Sequence, residues 1–150
     1  MREDYVIREL RRDRELAAFA LFSSVAPTFA ESDWTTIFEE GRAWRSIEAS
    51  DLGGRVRGLA VFRLLMHPDA GYLMDVPIFV ALSAVDPHQI AEHLFAHLQR
   101  QAAACRYMRV WNRPPGSLRD LESPEIFRRW DHGLIYRVPH GHRNLAANNN

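Results

Sequence analysis

Asp75 is the only carboxylate in an apolar run, Tyr72 to Val80, that reads as a strand. A carboxylate in that setting has two roles open to it. It can take a proton from a reacting group, or it can neutralise a cation such as Arg63 across the preceding turn. His93 and His97 stand four apart with Glu92 adjacent, a spacing that puts both imidazoles on one helix face and can hold a metal. No third ligand stands at suitable range, and both histidines fall on the polar flank of an apolar stripe, so they read as a solvated face. His140 and His142 near the C-terminal end read the same way. Cys105 has no second cysteine to pair with, and its place at the end of an apolar helix suits a small core residue better than a nucleophile. Asp86-Pro87 opens the longest helix, with the proline at or near its first turn.

These residues need elements to position them. Tyr5 to Leu10 alternates and reads as a first strand. Asp13 suits the cap of a helix that ends before Pro27, and Ser32 or Asp33 the cap of a second helix stopped by Gly41. Trp44 to Ala49 and Arg55 to Met66 form a hairpin around Asp51-Leu52-Gly53-Gly54, and Tyr72 to Val80 follows a second turn. Pro77 lies inside that fourth strand. A proline there removes a ladder hydrogen bond and marks a bulge, or a place where the strand leaves its neighbour. Ile90, Leu94, Leu98 and Ala102 form the stripe of the long helix. Tyr107 to Trp111 is a fifth strand, Glu125 to Trp130 a short helix stopped by Gly133, and Leu134 to Val138 a last strand. Trp34, Phe38, Trp44 and Phe29 read first as core, with the lining of an apolar pocket as the other reading.

The bulk properties set bounds. A chain of 150 residues with 47% hydrophobic and 25% charged residues fits one ordinary domain with its own core. We expect a single domain over 1–143 and a disordered polar tail over 144–150. A formal net charge of zero gives no electrostatic reason for a nucleic-acid partner. Arg8, Arg11, Arg12 and Arg14 are interleaved with Glu9, Asp13 and Glu15, and read as a salt-bridged surface. No stretch approaches membrane-spanning length, and MREDYVIREL has no apolar signal core, so no membrane partner and a cytoplasmic location are expected.

Three segments carry a family resemblance. Tyr5-Val6-Ile7-Arg8-Glu9-Leu10 followed by Asp13 is an apolar strand ending Ile-Arg before a helix. Ile47-Glu48-Ala49 through Gly53-Gly54-Arg55-Val56-Arg57-Gly58-Leu59-Ala60-Val61-Phe62 is a hairpin whose new strand carries a glycine before small and apolar residues. Glu125 to Leu134 is a closing helix-turn with an aromatic, charges and a glycine. In this order and spacing they resemble the GNAT superfamily of acetyl-CoA-dependent N-acetyltransferases over residues 5 to 138.

That resemblance implies an α/β (α+β) fold: a central mixed, mostly antiparallel sheet of roughly six or seven strands flanked by about four helices. It implies acetyl-CoA as co-substrate, and a small-molecule or peptide amine as acceptor. The backbone at Phe79, Val80 and Ala81 would pair with the pantetheine arm. His88, Gln89, Ile90 and Ala91 would receive the pyrophosphate, and Asp75 would be the catalytic base. The chain departs from the family at two places. Of the glycine-rich pyrophosphate loop only Ala91 fits, and Arg129 stands where a tyrosine acid is frequent, with Tyr136 reading as packing in the last strand. The alternative is therefore a catalytically eroded GNAT-fold module kept for binding or interaction. A homodimer through the last strand or the sheet edge is a further expectation.

Overall fold

The computed structural model describes residues 4–82 and 87–139. Asp86, His140, His142 and the expected tail at 144–150 lie outside the described residues. Among these residues six strands form one sheet in the order of the chain: β1 (Val6–Glu9), β2 (Arg45–Ser50), β3 (Val56–His67), β4 (Gly71–Ala81), β5 (Tyr107–Trp111) and β6 (Gly133–Arg137). All neighbours are antiparallel except β4 and β5, which run parallel because a helix connects them. Among the described residues five α-helices flank the sheet: α1 (Glu15–Ser23), α2 (Glu31–Ile37), α3 (Pro87–Gln101), α4 (Leu118–Leu121) and α5 (Pro124–Arg128).

Strand periodicity divides the core into two layers. Leu59 and Val61 of β3 and Ile78 and Val80 of β4 face α1, α2 and α4, where Phe22, Trp34, Ile37 and Leu121 are buried against them. Ala60 and Phe62 of β3, Met74 and Val76 of β4 and Met108 of β5 face α3. The stripe Ile90, Leu94, Leu98 and Ala102 is fully buried on that face, as its spacing required. Gly58 lets α3 lie close. A Cβ at this position would sit 2.6 Å from Ile90 Cγ2 and 2.7 Å from Leu94 Cδ1.

Pro77 acts in both of the ways its position suggested. Val61 pairs with Ile78 and Arg63 with Asp75, so Phe62 on β3 stands opposite two residues of β4, Val76 and Pro77. That is a bulge. On the other side, pairing of β4 with β5 ends at Val76 and Val110. Beyond it β4 runs on to Ala81 with β3 as partner, and the edge that faced β5 opens.

Several local expectations are corrected. Asp13 caps no helix; Arg12–Arg14 is a single 3-10 turn, and α1 begins at Glu15. Neither Ser32 nor Asp33 caps α2. That helix starts after Ala30, and Asp33 Oδ2 instead accepts the Leu118 N–H at 3.0 Å, which ties α2 to α4. The short helix expected over Glu125 to Trp130 is α5, which runs Pro124–Arg128, and a further short helix that was not expected, α4, precedes it. Ser117 caps α4, and Ser123 caps α5 with Pro124 in its first turn. Gly133 does not stop a helix; it opens β6. A Cβ there would lie 2.8 Å from both Arg109 Cγ and the Val110 carbonyl oxygen, so this glycine serves a close approach.

Candidate active site

The parting of β4 and β5 makes a cleft of about 280 Å³. One wall is β4 from Pro77 to Ala81, continued by Leu82. The opposite wall is Trp111, Asn112, Arg113 and Pro114, and Phe22 and Val25 from the α1 side complete the lining. A second cavity of about 190 Å³ shares Trp111 to Pro114 and extends to Asp120, Ile126, Arg129 and His132. The two meet the same four residues, Trp111 to Pro114, at the end of β5. Phe79, Val80 and Ala81 all line the cleft, and their backbone pairs with Ala60, Leu59 and Gly58 on the β3 side only. His88, Gln89, Ile90 and Ala91 lie in the first turns of α3, and none of them lines the cleft. The Ile90 side chain is buried in the core, which leaves its backbone as the part that can meet a ligand.

Asp75 is not at the rim of the sheet. Its side chain is fully buried and ion-paired to Arg109, also fully buried, at 2.9 Å. Arg63 is its cross-strand neighbour on β3, but the ion pair goes to β5. Asp75 Oδ1 accepts from Arg109 Nε and from Trp111 Nε1, each at 2.9 Å. Oδ2 has no partner among the described residues. Trp111 lines both cavities, so the carboxylate sits directly behind the wall they share. The same arginine organises the next segment. Arg109 Nη1 donates to the Phe127 and Arg129 carbonyls at 3.0 and 2.7 Å. Arg63 lies with its guanidinium 4.5 Å over the Trp44 ring, and burial pulls its pKa down.

His132 is the functional candidate that spacing did not reveal. It lines the second cavity, its ring meets Trp111 edge-on at 4.7 Å, and neither ring nitrogen has a hydrogen-bond partner among the described residues. Burial, and then the Arg109 guanidinium, hold its pKa below the ordinary histidine value. The folded chain therefore binds this proton less readily than the unfolded chain does. Its contribution to stability is complete above the unfolded value, about 6.5, and is lost as pH falls toward the folded value. His97 shifts the same way through burial. Urea unfolding at pH 7.5 and pH 5 should show this loss, and His132→Gln should reduce it. An identical pH slope in the variant would count against the assignment.

Other candidates resolve into structure. Phe29 and Trp34 pack with Phe22, and Phe38 meets Trp34 at 4.9 Å; together with Trp44 they are core or packed against it. Phe22, from the same cluster, is the aromatic that reaches the cleft. Tyr136 packs against Phe95 at 4.7 Å on the α3 face, and Arg129 is paired with Asp131 at 3.6 Å. Cys105 is buried, and burial raises its thiol pKa. Among the described residues no three His, Cys, Asp or Glu side chains form a metal-binding group, and no helix is long and apolar enough to cross a membrane.

This architecture is the fold of the GNAT superfamily. No protein-family model matches the chain, and no protein of curated function matches it in sequence. Solved structures do match in three dimensions. The Escherichia coli GNAT family N-acetyltransferase YhbS, in complex with CoA, superposes with a TM-score of 0.65 at 11% identity, over 93% of this chain and 84% of that one. The aminoglycoside N-acetyltransferase AAC(6')-Iy, in complex with CoA, gives 0.62 at 17% identity, over 91% and 96%. A GCN5-related glucosamine N-acetyltransferase region in a fungal multi-domain GH3 β-N-acetylglucosaminidase gives 0.55 at 9% identity, over 73% of this chain. The chain spans 14% of that fungal protein's length.

Proposed function

We propose that this chain is an N-acetyltransferase that moves an acetyl group from acetyl-CoA to an amine, on a small molecule or a peptide. The observation that carries the reading is the cleft between β4 and β5. It has apolar walls and a β4 edge without β5 pairing, which suits a narrow arm that itself carries amide groups. The two neighbours described with CoA have the same fold.

In this reading the donor's arm lies along Phe79, Val80 and Ala81, and its phosphates lie toward the N–H groups of His88, Gln89 and Ile90, with Ala91 allowing close approach. The amine enters from the second cavity, near Trp111 and His132. Its nitrogen attacks the thioester carbonyl carbon, the C–N bond forms, the C–S bond breaks, and the sulfur takes a proton. Asp75 is the assigned acceptor for the amine's proton, through Oδ2, with Trp111 beside it. The ion pair with Arg109 fixes the orientation of this carboxylate. A location in the cytoplasm, where acyl thioesters are made and thiols stay reduced, fits this reading. The eroded-module reading has its own support. Asp86 and Pro87 stand where a glycine loop is usual, Arg129 replaces the tyrosine, and Arg109 already occupies Oδ1.

Calorimetry and thermal shift with acetyl-CoA separate the two readings. Binding is expected; no heat and no shift at millimolar ligand would remove the enzyme. Where binding is seen, Asp75→Asn should lower turnover at least about tenfold with little change in KM. Unchanged turnover would assign Asp75 to the fold.

A further inference from the structure

An alkylamine reaches a protein at neutral pH as an ammonium ion, and the nitrogen of the amide it becomes carries two protons fewer. One proton must leave before the nitrogen can attack, and the other leaves as the amide forms. Asp75 is assigned the second. The first needs an acceptor that meets the amine where it enters. Among the described residues that line the two cavities, the charged or titratable side chains are Arg113, Asp120, Arg129 and His132. Asp75 lines neither. The two arginines keep their protons. Asp120 is engaged, since its Oδ2 accepts the Gly116 N–H at 3.2 Å. His132 is idle: neither ring nitrogen has a partner among the described residues. Two shielded nitrogens without hydrogen bonds are costly to keep, and an ammonium group in the cavity would satisfy one of them.

The surroundings of His132 fit that use. Its ring stands edge-on to Trp111 at 4.7 Å, and Trp111 Nε1 donates to Asp75 Oδ1 at 2.9 Å. One indole thus lies against both acceptors. Arg109 and Asp75 act on the imidazole from β5 and β4, and they are paired with each other at 2.9 Å. Arg129 and Asp131 act on it from its own segment and are paired at 3.6 Å. Asp120 of α4 lines the same cavity. Burial, and then the Arg109 guanidinium, hold the ring below the ordinary histidine value, so it is neutral at pH 7 and has a lone pair to offer. No hydrogen bond among the described residues opposes a turn of the ring about its Cβ–Cγ bond toward a ligand.

We infer that His132 is a second catalytic residue, which takes the first proton from the ammonium ion of an alkylamine acceptor. This rests on the acyltransferase reading above. An N–H bond of the ammonium breaks, an N–H bond forms on the imidazole, and the amine lone pair is freed to attack. The second proton leaves through Asp75 as C–N forms and C–S breaks, and the sulfur receives it. The imidazolium returns its proton to water after the products depart. The acceptor class follows from the role. An arylamine is already neutral at pH 7 and has no first proton to lose.

Steady-state kinetics on the full chain test this, with acetyl-CoA as donor and spermidine, tyramine or a lysine peptide as acceptor. His132→Gln should lower kcat/KM about a hundredfold at pH 7, the scale of one general base. The loss should shrink as pH rises toward about 10, where an alkylamine arrives without its extra proton. A purely structural role would give a loss that ignores the ionisation of the acceptor. His132→Ala should recover activity when free imidazole is added. The melting temperature of each variant checks that it is folded. A loss below about threefold at pH 7, or one equal at both ends of the pH range, would overturn the inference and leave the acyltransferase reading standing. So would a pH-dependent loss in Asp120→Asn that His132→Gln does not show. If the wild type turns over none of the three amines, the acyltransferase reading fails and takes the inference with it.

Discussion

Replacing Arg109 with alanine is expected to lower stability by about 3–5 kcal/mol, the usual result of removing one partner from a buried ion pair. The change strands the Asp75 carboxylate in the interior and frees the Phe127 and Arg129 carbonyls that Arg109 holds. It also opens a cavity beside Gly133, which packs against the Arg109 stem. Domains of this size are typically stable by about 5–15 kcal/mol, so the variant should be poorly folded at 37 °C. The control is Asp75→Leu with Arg109→Met. Removing both charges together should restore part of the loss, because no ion is left without its partner. Urea denaturation of the single and double variants decides the matter. A single variant within about 1 kcal/mol of wild type would mean that the pair does not hold α5 and β6 in place.

Gly58→Val should couple stability to ligand binding. The added Cβ would lie within 2.7 Å of Ile90 Cγ2 and Leu94 Cδ1, and both side chains are fully buried. The strand cannot yield, because Gly58 pairs with Ala49 on one side and Ala81 on the other. The helix must move instead. Overpacking of this kind costs about 1–3 kcal/mol. The contact lies at the start of α3, so the same shift displaces the N–H groups of His88, Gln89 and Ile90. On the acyltransferase reading, acetyl-CoA affinity falls with stability. Hydrogen exchange should quicken in the first turns of α3, and calorimetry should show weaker binding. Unchanged exchange there would mean that α3 is positioned by other contacts.

The parts of this arrangement that were readable in advance have a common character. The α3 stripe and the alternation of β3 are periodic, and burial enforces the period directly. Pro77 was readable because its missing N–H excludes it from a ladder whatever surrounds it. Helix α4 was hidden, since a helix of four residues has too few turns to show a period. Its signal lay in the cap, Ser117. The Asp75–Arg109 pair was hidden for a different reason. Arg109 sits in the five-residue strand YMRVW, where a charge between Met and Val must be buried and must have a partner. The partner is on β4, and only the parallel register, with Asp75 opposite Arg109, reveals which acid it is. His132 has no spacing signal at all; the second cavity finds it through Trp111.

The parting of β4 and β5 has a consequence for how this kind of protein diverges. A main-chain edge presents the same donors and acceptors whichever side chains it carries. A site built on such an edge keeps its specification in the path of the backbone, and the composition of the strand is free to drift around it. Bulge, parting and crossover helix are what such a site requires. The chain superposes on solved acetyltransferases over nine-tenths of its length at 11 to 17% identity. Searches that compare letters see little of what such a fold preserves, and searches that compare shapes see most of it.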